Sequence, residues 1–179
     1  EVGINPIIGL ESYLAADSMH SKTNADKSPY HLLLLAKDAE GYSNLLKLAS
    51  VAHLEGFYYK PRIDKEILAK HSKGLIVLSG CPSAEVPRLI IEGRMDEAMK
   101  AALWYKDTFD HFFLELQRHE NLPELPSLNE ALQQISTDTG IPLVATNDCH
   151  YVHMEDAPIQ DLLICIHTNT NIYDEKRLK

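Results

Sequence analysis

Leu125-Pro-Ser-Leu-Asn-Glu-Ala-Leu-Gln-Gln-Ile-Ser-Thr-Asp-Thr-Gly140, followed at once by Ile141-Pro-Leu-Val-Ala-Thr146 and Asn147-Asp-Cys-His150, encodes a helix, a stop and a strand in succession. Leu125, Leu128, Leu132 and Ile135 recur at spacings of three and four, the stripe of an amphipathic helix. Gly140 supplies a C-terminal cap and Pro142 bars continuation, so the helix stops there. The run from Ile141 to Thr146 is short, apolar and bounded by turn formers, which predicts a buried strand. Helix, tight turn, strand and then polar residues form the repeating unit of α/β proteins, in which ligands gather beyond the carboxyl ends of the strands.

Outward from that stretch the same alternation continues. Ile7 to Leu14, His31 to Ala36, Gly74 to Ser79 and Phe112 to Leu116 read as further buried strands. Leu45, Leu48, Ala49 and Ala52, then Met95, Ala98, Met99, Ala102, Leu103 and Phe109, carry helical spacing between them, and Ile159, Leu162, Leu163 and Ile166 do so after Asp156. The expected fold class is therefore α/β, a sheet or barrel that is largely parallel. One connection breaks the rule. Residues 15–30 are polar and hold no apolar stripe, so no crossover helix is available for parallel pairing, and the strands on either side should be antiparallel neighbours. His31, at the start of its strand, would then lie at the same end of the sheet as Glu11, near the end of its own.

The chain has 179 residues, 45% of them apolar and 24% charged, the composition of one globular domain of ordinary size. Its 17 Lys and Arg against 26 Asp and Glu leave a net charge of −9, so no broad basic face is available to hold nucleic acid by counterion release. No apolar run approaches the roughly 20 residues that span a bilayer, and no signal peptide is recognisable, so the chain reads as cytoplasmic with no membrane partner. Cys81, Cys149 and Cys165 are an odd number at irregular spacing, which leaves packing or thiolate chemistry rather than a disulfide framework. Glu1 to Asn5 run straight into an apolar stretch and the chain closes on charges at Lys179, the expectation being a piece of a longer protein.

Asn147-Asp148-Cys149-His150 is the sharpest local signal. In an extended segment Asp148 and His150 face the same way and together can grip a cation; the plainer reading is an Asp cap beside a hydrogen-bonded His. Glu11 and Cys81 also follow apolar runs, so Glu11, His31, Cys81, Asp148 and His150 are candidates for one rim. Each has a plain alternative: a solvated strand end for Glu11, a paired edge residue for His31, a small buried hydrophobe for Cys81. Oxygen, nitrogen and sulfur donors together suit a borderline divalent metal such as zinc, manganese or iron, and not calcium. His20, His53, His71, His111, His119, His153 and His167 read as surface or packing residues, and Trp104, Tyr105, Phe57, Tyr58 and Tyr59 as packing rather than a base-stacking platform. Lys60 and Arg62, held by Pro61, either meet a phosphate or are simply solvated.

Several blocks together carry a resemblance: Gly3-Ile-Asn-Pro-Ile-Ile-Gly-Leu-Glu11, His31-Leu-Leu-Leu-Leu-Ala36, Glu40-Gly-Tyr-Ser-Asn-Leu-Leu46, Glu55-Gly-Phe-Tyr-Tyr-Lys-Pro-Arg62, Leu78-Ser-Gly-Cys81 and Ala145-Thr-Asn-Asp-Cys-His-Tyr151. They resemble the polymerase and histidinol phosphatase (PHP) domain, in the version found at the N-terminus of bacterial DNA polymerase III alpha subunits, nearly from end to end of the chain. The resemblance implies a distorted seven-stranded (βα) barrel, present here as a single partial domain over residues 1–179, with a three-metal site. It makes Glu11, His31, Cys81, Asp148 and His150 metal ligands, the family's earlier ligands falling ahead of Glu1. Pro82 departs from the family's usual Leu and stiffens the turn that aims Cys81.

The implied function is part of a DNA-directed DNA polymerase. Its PHP domain would either brace the assembly or act as a metal-dependent phosphoesterase, a 3′-5′ exonuclease in which Lys60 and Arg62 orient the substrate. Magnesium would serve the separate polymerase domain, and DNA, a proofreading exonuclease subunit and the sliding clamp would be partners. A free-standing small-molecule phosphatase resembling histidinol-phosphate phosphatase is the alternative, and a purely structural docking module a third reading.

Overall fold

The computed structural model describes residues 3–119 and 122–177, so the expectations attached to Glu1 and Lys179 lie outside the described residues. Six strands form one sheet: β1 (Gly9–Leu14), β2 (Tyr30–Ala36), β3 (Arg62–Ile63), β4 (Leu75–Leu78), β5 (His111–Gln117) and β6 (Leu143–Thr146), in the order β3-β1-β2-β4-β5-β6. Helices α1 (Ala39–Leu54), α2 (Lys65–Lys70), α3 (Glu85–Ile91), α4 (Met95–Thr108), α5 (Leu125–Thr139) and α6 (Ala157–Thr168) separate or follow them. The α/β class is as the alternation predicts, and the sheet is mostly parallel and not closed: β1 with β3, β4 with β5 and β5 with β6 run parallel.

The polar connection has the predicted consequence. Between β1 and β2 the chain makes only a short 3-10 turn at Ala25–Lys27, and the two strands pair antiparallel with Tyr13 opposite His31 and Glu11 opposite Leu33. β4 then runs with β1, so it pairs antiparallel with β2 as well. One reversed strand thus makes two antiparallel boundaries where a single pair is expected.

Side-chain alternation along the strands decides which residues are packed. Leu14 in β1, Leu32 and Leu34 in β2, Val77 in β4 and Phe112 and Leu114 in β5 join Leu45, Leu48 and Ala52 of α1, Ala98, Ala102 and Tyr105 of α4, and Leu128, Leu132 and Ile135 of α5 in one buried core. By the two-residue period, Glu11, Tyr13, His31, Phe113, Glu115 and Gln117 lie on the other face of the sheet. That face carries the chemistry.

The helix boundaries follow from local residues. Asp38 caps α1 by accepting from Gly41 N at 2.9 Å, and Asp64 caps α2 by accepting from Ile67 N at 3.1 Å, each cap being worth about 1 kcal/mol. α5 ends at Gly140, whose φ of 70° is the left-handed value that glycine adopts without cost. At Gly41 a Cβ would sit 1.8 Å from the carbonyl oxygen of Gly74, so only glycine lets the start of α1 pack on the turn before β4.

Three expectations shift. The run from Ile7 becomes a strand only at Gly9, and that from Ile141 only at Leu143, Pro6 and Pro142 lacking the N–H a ladder needs. β6 is not buried: it alternates exposed and half-buried residues, because it is the sheet's edge and is paired on one side only. Elements β3, α2 and α3 have no counterpart in the sequence reading, being too short for a periodic pattern to register.

The chain forms two compact units, one up to Thr146 and the other from Asn147 onward. In the second, α6 is preceded by a 3-10 turn at Met154–Asp156 and ends at Asn169 in the left-handed region. Ile159, Leu162, Leu163 and Ile166 are all exposed, and Cys165 is the buried residue of α6. Among the described residues, no helix is long and apolar enough to cross a membrane.

Candidate metal centre

Three of the five expected ligands meet at the end of the sheet where β1 finishes and β2 begins. Glu11 Oε1 lies 2.9 Å from His31 Nδ1, and Cys81 Sγ lies 3.5 Å from the same nitrogen. The three donor atoms are all within 4.8 Å of one another, with Glu11 exposed and His31 and Cys81 half-buried. Antiparallel pairing puts Glu11 and His31 on one face two register positions apart, as the polar connection implies. Cys81 arrives from the turn after β4. Gly80, with φ of 82°, reverses the chain there, and the turn closes by Ala84 N donating to Cys81 O at 2.8 Å and His31 N donating to Ser83 O at 3.2 Å. Pro82 therefore sits in a turn that aims the thiol at His31.

A single Nδ1 with two anionic or anion-forming neighbours is the electrostatic signature of the site. One ring proton cannot serve both Glu11 and Cys81, and a positive charge at that point satisfies both. Hydrogen bonding to Cys81 and then to Glu11 raises the His31 pKa from 6.5 to about 9 against the opposing effect of burial. The imidazolium thus supplies the cation that these donors need. One carboxylate and one imidazole from two paired strands and one thiol from the turn after β4 fit a borderline divalent metal, with release of the His31 proton on binding.

Neighbouring aromatics extend the site. The Tyr13 ring meets His31 edge-on, with centroids 5.3 Å apart, and Lys60 Nζ lies 5.3 Å from the Tyr13 ring centroid. Lys60 is half-buried and within this stack.

Arg62 is not a substrate-facing residue, contrary to the sequence expectation. Its side chain is fully buried: Nε donates to Gly56 O at 3.2 Å, Nη2 to Met19 O and Ser21 O at 2.8 Å each, and Nη1 lies 3.6 Å from Asp26 Oδ1. A guanidinium committed to backbone carbonyls and one carboxylate has no donor left to turn outward. It ties the polar connection to β3. Asp26 also accepts from the hydroxyls of Thr23 and Ser21, and these bonds hold its carboxyl well below the usual range, at about 2.

Asp148 and His150 belong to the second unit, and they do not form the extended pair that side-chain alternation predicts. The strand ends at Thr146, opposite the last residue of β5, so no ladder keeps the next residues extended. Asp148 takes φ of 49°, which Asp tolerates better than most residues, and His150 Nδ1 donates to the Asp148 carbonyl at 2.7 Å.

The remaining histidines and aromatics pack or face solvent as read: His71 bonds Asn44, His111 accepts from Lys37, and Trp104, Tyr105, Phe109 and Phe112 cluster over the core. One residue is missed by the sequence reading. Glu115 is buried in the middle of β5, and the signal available was a lone carboxylate inside His111-Phe-Phe-Leu-Glu-Leu-Gln117.

Comparison with known proteins places these observations in a family. The chain is 50% identical over 182 residues to the "DNA polymerase III subunit alpha" of Borreliella burgdorferi, covering 100% of this chain and 16% of that protein. It is 46% identical over 180 residues to the protein of the same name from Thermus aquaticus, covering 98% of this chain and 15% of that one. For Treponema pallidum the identity is 45% over 181 residues, covering 99% and 15%. The chain thus spans about one-sixth of the length of the curated relatives it matches. The family description of the PHP domain matches residues 1–119, the stretch that contributes Glu11, His31 and Cys81, and the chain belongs to the PHP domain family.

Proposed function

We propose that residues 1–179 are part of the PHP domain of a replicative DNA-directed DNA polymerase, the alpha subunit type, and that the cluster at Glu11, His31 and Cys81 binds a divalent metal for phosphodiester hydrolysis. The observation that carries the metal reading is the convergence of three chemically different donors within 4.8 Å. Support for the polymerase reading is the identity of 50% to a polymerase subunit over the whole chain, which favours it over the small-molecule phosphatase alternative. Asp148 and His150 are proposed as further metal ligands on the resemblance. Zinc, manganese or iron matches the mixed donor set, and magnesium belongs to the separate polymerase domain. DNA, a proofreading exonuclease subunit and the sliding clamp are the proposed partners, in the cytoplasm.

Glu11, His31 and Cys81 would hold the ion, which would supply Lewis acidity toward water and phosphate oxygens. The chain's own residues do the rest. His31 gives up its proton to become a neutral ligand, Glu11 and Cys81 provide the compensating negative charge, and Lys60, steadied on Tyr13, orients the non-bridging oxygens of a 3′-terminal phosphodiester. The net charge of −9 is compatible with a DNA substrate if the metal provides the local positive potential.

Two measurements on the whole polymerase subunit to which these residues are proposed to belong test this. Elemental analysis should find bound divalent metal in wild type and less in His31→Ala, Cys81→Ser, Asp148→Ala and His150→Ala; unchanged stoichiometry in any variant removes that residue from the ligand set. Primer extension and 3′-terminal nucleotide release should separate, the first surviving His31→Ala and the second being lost. Absence of primer extension by folded wild type would reject the polymerase reading. A 3′-5′ release activity indifferent to His31 would leave the domain a structural brace.

A further inference from the structure

Glu115 is a buried carboxylate with no Lys, Arg or His within ion-pair distance among the described residues. Such a charge is costly unless its oxygens are saturated with donors. Here both are engaged. Oε2 accepts from Gly80 N at 3.1 Å; Oε1 accepts from Gln117 Nε2 at 3.1 Å and, in a short bond, from the Thr146 hydroxyl. The backbone is tied in the same place, Glu115 N donating to Ser79 Oγ at 2.8 Å and Ser79 N to Phe113 O at 2.9 Å. One side chain therefore links the ends of three strands: β4 through Gly80, β5 through its own backbone and β6 through Thr146.

The bond to Gly80 has the most consequence. Gly80 is the residue with φ of 82° that turns the chain immediately before Cys81. Fixing its N–H fixes the orientation of the peptide unit from which the thiol projects. Plain packing would be better served by Leu or Phe at this position, since an apolar group of similar volume carries no desolvation cost. The carboxylate is also beside an acceptor without a partner, Gln117 Oε1, so the pocket is polar by construction.

We infer that Glu115 is a positioning residue for the metal centre: by holding Gly80 N–H it presents Cys81 Sγ toward Glu11 and His31, and its charge complements the cation bound there. This rests on the metal reading above. A carboxylate that orients a ligand from behind without touching the ion is a recurrent device in metal sites, and its removal typically weakens metal binding by about 10–100-fold.

Titration of the metal-stripped full-length chain with cobalt(II), followed by the thiolate-to-cobalt absorption and with Cys81→Ser as the blank, tests it. Glu115→Gln keeps the volume and one acceptor oxygen, and should weaken cobalt binding about 10-fold or more while leaving the saturated band in place. Thr146→Val removes one donor to the carboxylate and leaves Gly80 bound, so it should weaken binding by about threefold or less. Should Glu115→Gln fail to fold, Ser79→Ala, which loosens the same turn from the β5 side, replaces it with the same expected direction. Cobalt affinity unchanged in Glu115→Gln, or in Ser79→Ala in its place, with only thermal stability reduced, overturns the inference and leaves Glu115 a structural hydrogen-bonding residue. Wild type showing no thiolate band at all overturns the metal reading, and this inference with it; the two failures are thus distinguished by the wild-type spectrum alone.

Discussion

The turn after β4 and the segment after β6 begin alike and end differently. Each leaves a strand at its carboxyl end, each turns through a residue of positive φ, Gly80 at 82° and Asp148 at 49°, and each carries expected ligands. The Cys81 turn is held from outside itself: Glu115 takes Gly80 N–H, His31 N–H reaches Ser83, and the thiol meets His31. At Asp148–His150 the bond in the described structure is internal, from a His150 ring nitrogen to the Asp148 carbonyl. Side-chain direction at a strand end is set by what neighbouring strands supply, and the same local chemistry gives a fixed thiol in one place and a self-contained turn in the other.

The comparison sharpens first against a third region. Arg62 holds the polar connection without touching the Cys81 turn, so Arg62→Met should cost on the order of 3 kcal/mol by leaving the buried carbonyls of Met19 and Ser21 without their donor and Asp26 without its cationic neighbour. Urea unfolding reads the loss, and elemental analysis should find metal content preserved in the folded fraction. A fall in metal content would mean that anchoring is not local to Glu115.

Next comes the turn itself. A Cβ at Gly80 would lie 2.9 Å from Ala84 Cβ in a left-handed conformation, so Gly80→Ala should destabilise by about 1–2 kcal/mol and displace Cys81. An unaltered melting temperature would break the claim that this turn is conformationally specified.

A pH scan of metal-free protein probes the same corner more gently. His31 is raised from 6.5 to about 9, so its contribution to stability is complete below 6.5 and is lost as pH rises through about 9. The melting temperature should fall across that window in wild type, fall less in His31→Gln, and hold steady with metal bound, since the ion takes the place of the proton. The smallest effect belongs to the second segment: Asp148→Gly relieves the positive φ at the cost of chain entropy and should change stability by no more than about 0.5 kcal/mol.

Most of the fold was legible. The stripes at Leu45–Ala52 and Leu125–Ile135 and the five apolar runs gave helices and strands close to those observed, because periodicity reports which face of an element is buried. The pairing of Glu11 with His31 was legible for a less obvious reason, the lack of a helix between residues 15 and 30. Arg62 and Glu115 were not legible as buried charges. Their partners include the backbone groups of Met19, Ser21, Gly56 and Gly80, which leave no mark on sequence composition, and side chains distant in sequence such as Asp26 and Thr146.

The sequence by itself determined the α/β class and the reversed strand, which follow from residue type and local spacing, and through its resemblance the family; it offered five candidate ligands, and only the structure shows that Glu11, His31 and Cys81 meet. Tertiary structure alone decided that Arg62 is a buried brace, that Lys60 leans on Tyr13, that Asp148 turns away from the extended path, and that Glu115 stands behind Cys81. The division has a physical cause. Burial of an apolar face is additive along the chain and so is written in its period, whereas the placement of a buried charge depends on a few directional bonds from distant segments.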